Sequence, residues 1–260
     1  MEKIVSKDGT PIAFYKQGSG PPLVLVHGAG SIAKRWLPII PALEDNFSAY
    51  AVERHGRGES GDHPLYTLAS EVEDLIAVFE YIDQPLNLLG HSFGALCALE
   101  GALVTPYVHK LLLYEPPLPL PGNQIIPDGL LEKYEKMIME GDNEEALIFF
   151  YQSVGLSENE ISMMQTTPEW KARVDSAPTI LKVSQVQIQY KFKPERFSEI
   201  QIPTLLMVGS ESPPWAKAST EALNQALPIS LIHVLAGQKH AAMVTAPEMF
   251  VRVITQFVKN

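Results

Sequence analysis

The chain has 260 residues, of which 46% are hydrophobic and 19% are charged, enough for one α/β domain or one domain with an insertion. Its formal net charge of −10 excludes the basic surface that a nucleic-acid backbone requires. The single cysteine, Cys97, excludes an internal disulfide and a cysteine-based metal site. No apolar run reaches the roughly 20 residues of a membrane span, and no signal-peptide core follows Met1. We therefore expect a soluble cytoplasmic protein without a nucleic-acid or membrane partner.

The first half of the chain alternates strand-like and helix-like segments. Asp8-Gly9 is typical of a hairpin turn, and the continuously apolar run at 23–26 is typical of a strand buried on both faces. Apolar residues spaced three and four apart predict an amphipathic helix over 68–82. We predict strands at 4–6, 12–16, 23–26, 47–53, 86–89 and 110–115, and helices at 34–43 and 68–82.

The stretch 86–99 is typical of a strand, a sharp turn and a helix. Gly90 and Gly94 bracket Ser92 in G-x-S-x-G spacing, which suits a crowded turn that holds the serine at an unfavourable backbone angle. Such a turn exposes the serine oxygen at the carboxyl end of a sheet and leaves the next backbone N–H at a helix N-terminus. Gly101 is expected to let the following helix lie close to the sheet. The stretch predicts a site for nucleophilic attack.

In the second half of the chain, the alternation of strand and helix patterns stops after Glu115. A proline-rich segment at 116–122 ends the regular structure, and the residues up to 196 show helical patterns without a convincing strand. Asp142 and Ser157 each open a capping pattern with a glutamate three residues later. We predict helices at 129–140, 144–154, 158–165, 177–190 and 216–227, strands at 204–208 and 230–235, and a C-terminal helix.

Four motifs, in this order along the chain, resemble those of the α/β-hydrolase fold superfamily. They are His27-Gly28-Ala29-Gly30, the segment 54–60, Gly90-His91-Ser92-Phe93-Gly94 and the terminal His240. The resemblance implies a mostly parallel, doubly wound sheet of about eight strands with a helical cap inserted after the sixth strand. It places a core domain at 1–115 and 197–260 and a cap domain at 116–196.

A serine hydroxyl needs a neighbouring base, and that base needs a carboxylate to fix its tautomer. The resemblance implies Ser92 as the nucleophile and His240 as the base. In the usual family pattern an Asp stands three residues after the glycine that ends the seventh strand, and this chain has Ser212 there. Glu211 lies one residue earlier, whereas Glu115 occupies the place after the sixth strand that haloalkane dehalogenases use. We predict Glu115 as the acid and keep Glu211 as the alternative.

The residues around the serine are predicted to hold the substrate. The backbone N–H groups of Phe93 and Ala29 are predicted to form an oxyanion hole. The side chains or backbone predicted to contact substrate are those of His27, Gly28, His91 and Trp215, although His27 has a structural alternative beside its turn. Methionine and aromatic residues concentrate at 129–190, either as a core or as a lid over an apolar pocket. No metal and no cofactor is predicted.

The identity of the nucleophile limits the reactions that this chain is expected to catalyse. Family members that act as dehalogenases or epoxide hydrolases carry an aspartate at the elbow, so Ser92 argues against both. We predict a carboxylesterase-like serine hydrolase that forms an acyl-enzyme from an ester or related carbonyl in an apolar pocket under the cap. A perhydrolase, carbon–carbon hydrolase or lyase with the same three residues, and a non-catalytic receptor for a small ligand, stay open as alternatives. The predicted partner is a small-molecule substrate, and a homodimer is kept open.

Overall fold

An eight-stranded sheet runs through the structure, a computed structural model that describes residues 1–122, 125–127 and 129–260. Its strands are β1 (Glu2–Val5), β2 (Pro11–Gln17), β3 (Pro22–Val26), β4 (Ser48–Val52), β5 (Leu86–His91), β6 (Val108–Tyr114), β7 (Thr204–Gly209) and β8 (Ser230–Leu235). They lie in the order β1-β2-β4-β3-β5-β6-β7-β8. β2 runs antiparallel to β1 and β4, and the other neighbours are parallel. The predicted mostly parallel sheet is confirmed.

Helices connect the strands and cover both faces of the sheet. They are α1 (Ile40–Leu43), α2 (Leu68–Ile82), α3 (Phe93–Val104), α4 (Leu130–Glu140), α5 (Asn143–Ser153), α6 (Glu158–Gln165), α7 (Trp170–Asp175), α8 (Thr179–Gln189), α9 (Pro194–Phe197), α10 (Pro214–Ala226), α11 (Ala242–Thr245) and α12 (Pro247–Lys259). Of the helices in the described residues, none is long and apolar enough to cross a membrane.

Strand β5 is buried along its whole length. Leu88 packs on one face of the sheet with Phe79 of α2, whereas Leu89 packs on the other face with Trp36. Because the strand lies between β3 and β6 and is covered on both faces, leucines fill both sides of it, and the buried Asn87 donates from Nδ2 to the carbonyl of Pro22 over 3.1 Å. The strand therefore delivers its carboxyl end to a fixed place in the middle of the sheet.

Helices α4 to α8 lie between β6 and β7 in the chain, within the range where the sequence predicts a cap domain, and are called the cap below. They enclose a hydrophobic cluster of their own, which includes Tyr134, Tyr151 and Trp170. Val183 of α8 instead joins the cluster on the sheet. The predicted cap range of 116–196 also contains positions 123, 124 and 128, which lie outside the described residues.

The predicted helix at 34–43 is wrong. The structure has a 3₁₀ turn at Ala33–Trp36 and then the short α1, with Pro38 between them. Proline lacks the N–H that a continuous helix needs. The chain is consequently compact at this point, and Arg35 is buried rather than placed on an exposed helix face.

Candidate active site

Ser92 occupies a sharp turn between β5 and α3. Its backbone angles are φ +53° and ψ −127°, in a region that non-glycine residues rarely adopt. Its N–H donates to the carbonyl of Tyr114 over 2.8 Å, which ties the turn to the end of β6. A strained backbone held in this way projects the hydroxyl at the carboxyl end of the sheet.

The flanking glycines are required by close approach of the backbone. A Cβ on Gly90 would lie 2.5 Å from Ala95 Cα, and a Cβ on Gly94 would lie 2.4 Å from the carbonyl oxygens of Val26 and His27. The expectation for Gly101 is wrong, because a Cβ there would meet nothing within 4 Å. Only the bracketing glycines serve the turn.

Glu115 lies directly against His240. His240 Nδ1 donates to Glu115 Oε2 over 2.5 Å, and the carboxylate is completely buried. The other carboxylate oxygen accepts from the N–H of Gly209 at 2.8 Å and from the hydroxyl of Ser212 at 2.5 Å. Glu115 itself has a left-handed backbone with φ +49°. The carboxylate is thus fully hydrogen-bonded, and it leaves Nε2 of His240 free of the acid.

Glu211, the alternative acid, lies at the surface. Glu211 is exposed, and its backbone N–H donates to the carbonyl of Gln238 over 3.0 Å. Among the residues that the structure describes, its carboxylate makes no hydrogen bond or ion pair with His240. The neighbouring Ser212, at the usual acid position of the family, turns its hydroxyl to Glu115 instead. The geometry therefore favours Glu115.

Two pockets, here called lobes, share Ser92 and His240 in their walls. Both lobes are also bounded by Ala29, Phe150 and Val154. The first, here called the Arg35 lobe, has a volume of about 30 Å³ and continues along Ser31, Arg35, His91 and Tyr151. The second, here called the Trp215 lobe, also has a volume of about 30 Å³ and continues along Pro117, Ile126, Leu130, Val183 and Trp215.

The predicted oxyanion donors border these two lobes. Phe93 is the first residue of α3, so its N–H has no acceptor within that helix. Ala29 bounds both lobes, beside Gly28, where a Cβ would lie 2.9 Å from the Cβ of Ser92. The lack of a side chain on Gly28 lets this loop approach the serine. The arrangement suits an oxyanion hole, and that role remains a prediction.

The four residues predicted to contact substrate differ in position. His91 bounds the Arg35 lobe, and Trp215 bounds the Trp215 lobe with its ring edge-on to His240 at 5.4 Å. Gly28 contacts Ser92 rather than the open space. His27 is completely buried, and neither lobe includes it within the described residues. Its Nε2 accepts from the N–H of Arg54 over 3.3 Å, which favours its structural alternative.

Burial controls the protonation of His91. Loss of solvation, followed by the charge of His240, holds the pKa of His91 well below its ordinary value, so the ring is neutral at pH 7. Its Nε2 lies 2.9 Å from the carbonyl of His240 and must donate. Nδ1 is then an acceptor, and it has no hydrogen-bond partner in the described structure. His91 therefore positions the loop of His240 through the backbone.

Sequence reasoning missed three residues at the site. Tyr114 precedes Glu115, donates to the carbonyl of Lys239 and accepts from the N–H of Ala242 at 3.2 Å, which anchors the loop of His240. Ser212 supports the acid, and its place in the family pattern was the signal that could have found it. Arg35 lies in the Arg35 lobe, where no sequence pattern distinguishes it from a surface charge.

Comparisons with known proteins agree with the fold. The profile of the alpha/beta hydrolase family matches residues 23–253. A pimeloyl-[acyl-carrier protein] methyl ester esterase from Aeromonas hydrophila is 27% identical over 95% of this chain and 99% of its own. The crystal structure of an alpha/beta hydrolase from Sphaerobacter thermophilus has a TM-score of 0.86 and 31% identity, covering 99% of this chain and all of the other. An esterase from Exiguobacterium antarcticum shares the fold, with a TM-score of 0.83 at 20% identity over 99% of both chains. This chain belongs to the alpha/beta hydrolase family.

Proposed function

We propose that this protein is a serine hydrolase that cleaves an ester or related carbonyl compound through an acyl-enzyme on Ser92. The observation that carries the proposal is the contact of His240 with the buried Glu115, at a cavity that Ser92 also lines. A histidine oriented by a carboxylate beside a serine is the arrangement that activates a hydroxyl for attack.

The first half of the reaction forms the acyl-enzyme. Because Nδ1 of His240 is held by Glu115, Nε2 is the nitrogen that takes the proton from the hydroxyl of Ser92. The serine oxygen attacks the substrate carbonyl, and the N–H groups of Phe93 and Ala29 receive the developing oxyanion. The protonated His240 then gives its proton to the leaving alcohol.

The second half returns the free enzyme. A water molecule loses a proton to His240 and attacks the acyl carbonyl, and Ser92 leaves with that proton. The two carboxylate oxygens of Glu115 stabilise the imidazolium in both halves, because neither has to change partner. Relatives that are named as esterases support the reaction class.

Covalent labelling tests the nucleophile. We expect a fluorophosphonate probe to add one adduct per chain, measured by intact mass, and Ser92→Ala to abolish both the adduct and the hydrolysis of nitrophenyl esters. Labelling that persists in Ser92→Ala would reject Ser92. Labelling without turnover on any ester would favour the receptor alternative, and products other than acid and alcohol would favour perhydrolase or lyase chemistry.

The base is tested separately. His240→Ala removes the proton carrier at a loop position, so we expect turnover to fall by at least about a thousandfold. The fold should survive, which circular dichroism would show. Turnover near that of the wild type would transfer the role of base to another group and leave Ser92 without an activating partner.

A further inference from the structure

Arg35, which lines the Arg35 lobe, and the neighbouring Arg173 are buried and form no ion pair with any residue that the structure describes. Arg35 and Arg173 are each 6% exposed. Arg35 Nε, and both Nε and Nη1 of Arg173, make no hydrogen bond with any residue that the structure describes. Burial, followed by the neighbouring charge of Arg173, lowers the pKa of Arg35 to about 10, so its guanidinium group is charged at neutral pH. Two guanidinium groups therefore lie near one another without an anionic partner among the described residues.

The carboxylates of the same region are engaged elsewhere. Glu53 accepts from the N–H of Ala33 at 2.9 Å, and Glu160 caps α6 by accepting from Ser157. Neither forms an ion pair with Arg35 or Arg173 among the described residues. Burying a charge without a partner is strongly unfavourable, and departures of this kind are expected at functional sites.

The unpartnered groups converge on the Arg35 lobe. Arg35, Ser31 and His91 all line it, and each has a buried polar atom without a hydrogen-bond partner in the described part of the chain. Arg35 and Ser31 supply donors, whereas the walls at Phe150 and Leu156 are apolar. Water at such a site would satisfy the hydrogen bonds but would not neutralise the charge. An anion would do both.

We propose that the Arg35 lobe binds a carboxylate of the substrate, so that this enzyme hydrolyses esters that carry a free carboxylate at a distance from the scissile bond. The inference rests on the proposed serine hydrolase function, because it places that carboxylate relative to Ser92. Guanidinium groups bind carboxylates through two parallel hydrogen bonds, which gives orientation as well as affinity. The Trp215 lobe then takes the uncharged part of the substrate.

Paired substrates test the specificity. The set consists of methyl half-esters of C4 to C8 dicarboxylic acids and O-acetyl hydroxy acids, each measured beside its neutral methyl ester. We expect the wild type to prefer the best charged member over its neutral partner by at least about tenfold in kcat/KM, and Arg35→Met to lower that ratio by about thirtyfold. Arg252→Met removes an exposed arginine from α12 and should leave the ratio unchanged. An unchanged ratio in Arg35→Met, or a wild-type preference for the neutral esters, would overturn the proposal.

A binding measurement separates this proposal from the catalytic one. With Ser92→Ala protein, free dicarboxylates should raise the melting temperature, and Arg35→Met in that background should remove the shift. Without ligand, Arg35→Met should be at least as stable as the parent, because it removes an unpaired buried charge.

If Arg35→Met does not fold, the same binding measurement is made with Arg35→Lys, since lysine keeps the charge and loses the paired hydrogen bonds. An equal shift with Arg35→Lys, or a shift with inorganic phosphate alone, would reject a carboxylate site. Absence of hydrolysis in the wild type with an Arg35-dependent shift would refute only the catalytic function.

Discussion

At the scale of single residues, Glu115 shows how a carboxylate is held ready for one partner. One oxygen receives the N–H of Gly209 and the hydroxyl of Ser212, and the other receives Nδ1 of His240. Both oxygens of this completely buried carboxylate therefore have hydrogen-bond partners, which offsets the cost of removing it from water. The strained backbone of Glu115 turns its side chain from the end of β6 toward β7 and the loop of His240.

The two glutamates are expected to respond differently to substitution. Glu115→Gln keeps the shape but loses stabilisation of the imidazolium, so we predict that turnover falls by at least about a hundredfold. Glu211→Gln changes an exposed side chain and should lower turnover by less than about tenfold. Steady-state kinetics on a nitrophenyl ester would measure both, and the reverse ranking would return the acid role to Glu211.

We expect that an aspartate at position 212 can replace Glu115 as the catalytic acid. Its hydroxyl lies 2.5 Å from the oxygen of Glu115, so an aspartate at 212 would bring a carboxylate near the space that Glu115→Ala vacates. We predict that Glu115→Ala/Ser212→Asp is at least about tenfold more active than Glu115→Ala alone, by recovery of imidazolium stabilisation. Glu115→Ala/Ser210→Asp adds the same charge two residues away and is the matched control. Equal activity of the two double variants would show that Ser212 cannot take this role.

At the scale of elements, two glycines of helix α3 differ in the space that a side chain would have. Gly94 admits no Cβ because backbone carbonyls lie 2.4 Å from that position, whereas Gly101 in the same helix has open space. We predict that Gly94→Ala destabilises the protein by more than about 2 kcal/mol through overpacking. Gly101→Ala should stabilise it by about 0.5–1 kcal/mol, because alanine loses less conformational entropy in a helix. Urea unfolding followed by circular dichroism measures both, and effects of the same sign would contradict the packing argument.

Elements with a long, regular pattern were predictable from the sequence. Helices α2 and α6 and strand β8 have the predicted bounds, since periodic apolar positions and the capping box of Ser157 specify them locally. Helices α7, α9 and α11 were missed because they are too short to show a period. Asp142 is the N-cap residue of α5, as its capping pattern predicts, but its side chain makes no cap hydrogen bond.

The site was predictable to the extent that it depends on local signals. The glycines mark the turn of Ser92, and the end of the last strand marks His240. The choice between Glu115 and Glu211 stayed open because it depends on which strand end faces His240 in the folded sheet. Arg35 gave no signal, because its burial follows from a 3₁₀ turn and from the cap packing over it.

At the scale of the whole molecule, the cap and the sheet form separate hydrophobic clusters that share contacts at the site. The hydroxyl of Tyr151 in the cap donates to the carbonyl of Gly30 in the loop after β3 at 2.5 Å. Val183 of the cap packs with the residues on the sheet. These contacts lie beside the cavity, so an opening of the cap that admits substrate must break them, and closure must restore them.

The single thiol can report whether the cap and the core unfold together. Cys97 in α3 is completely buried, and burial raises the pKa of its thiol, so we expect no labelling of the native protein by a disulfide reagent. Because Tyr151 and Val183 join the cap to the core, we predict that urea unfolding gives the same midpoint by Cys97 labelling and by circular dichroism.

Tyr151→Phe should lower both midpoints together. Its free energy of unfolding should fall by about 1 kcal/mol, since the substitution removes one buried hydrogen bond. A loss of helical signal at lower urea than Cys97 labelling would instead show that the cap unfolds as a separate unit.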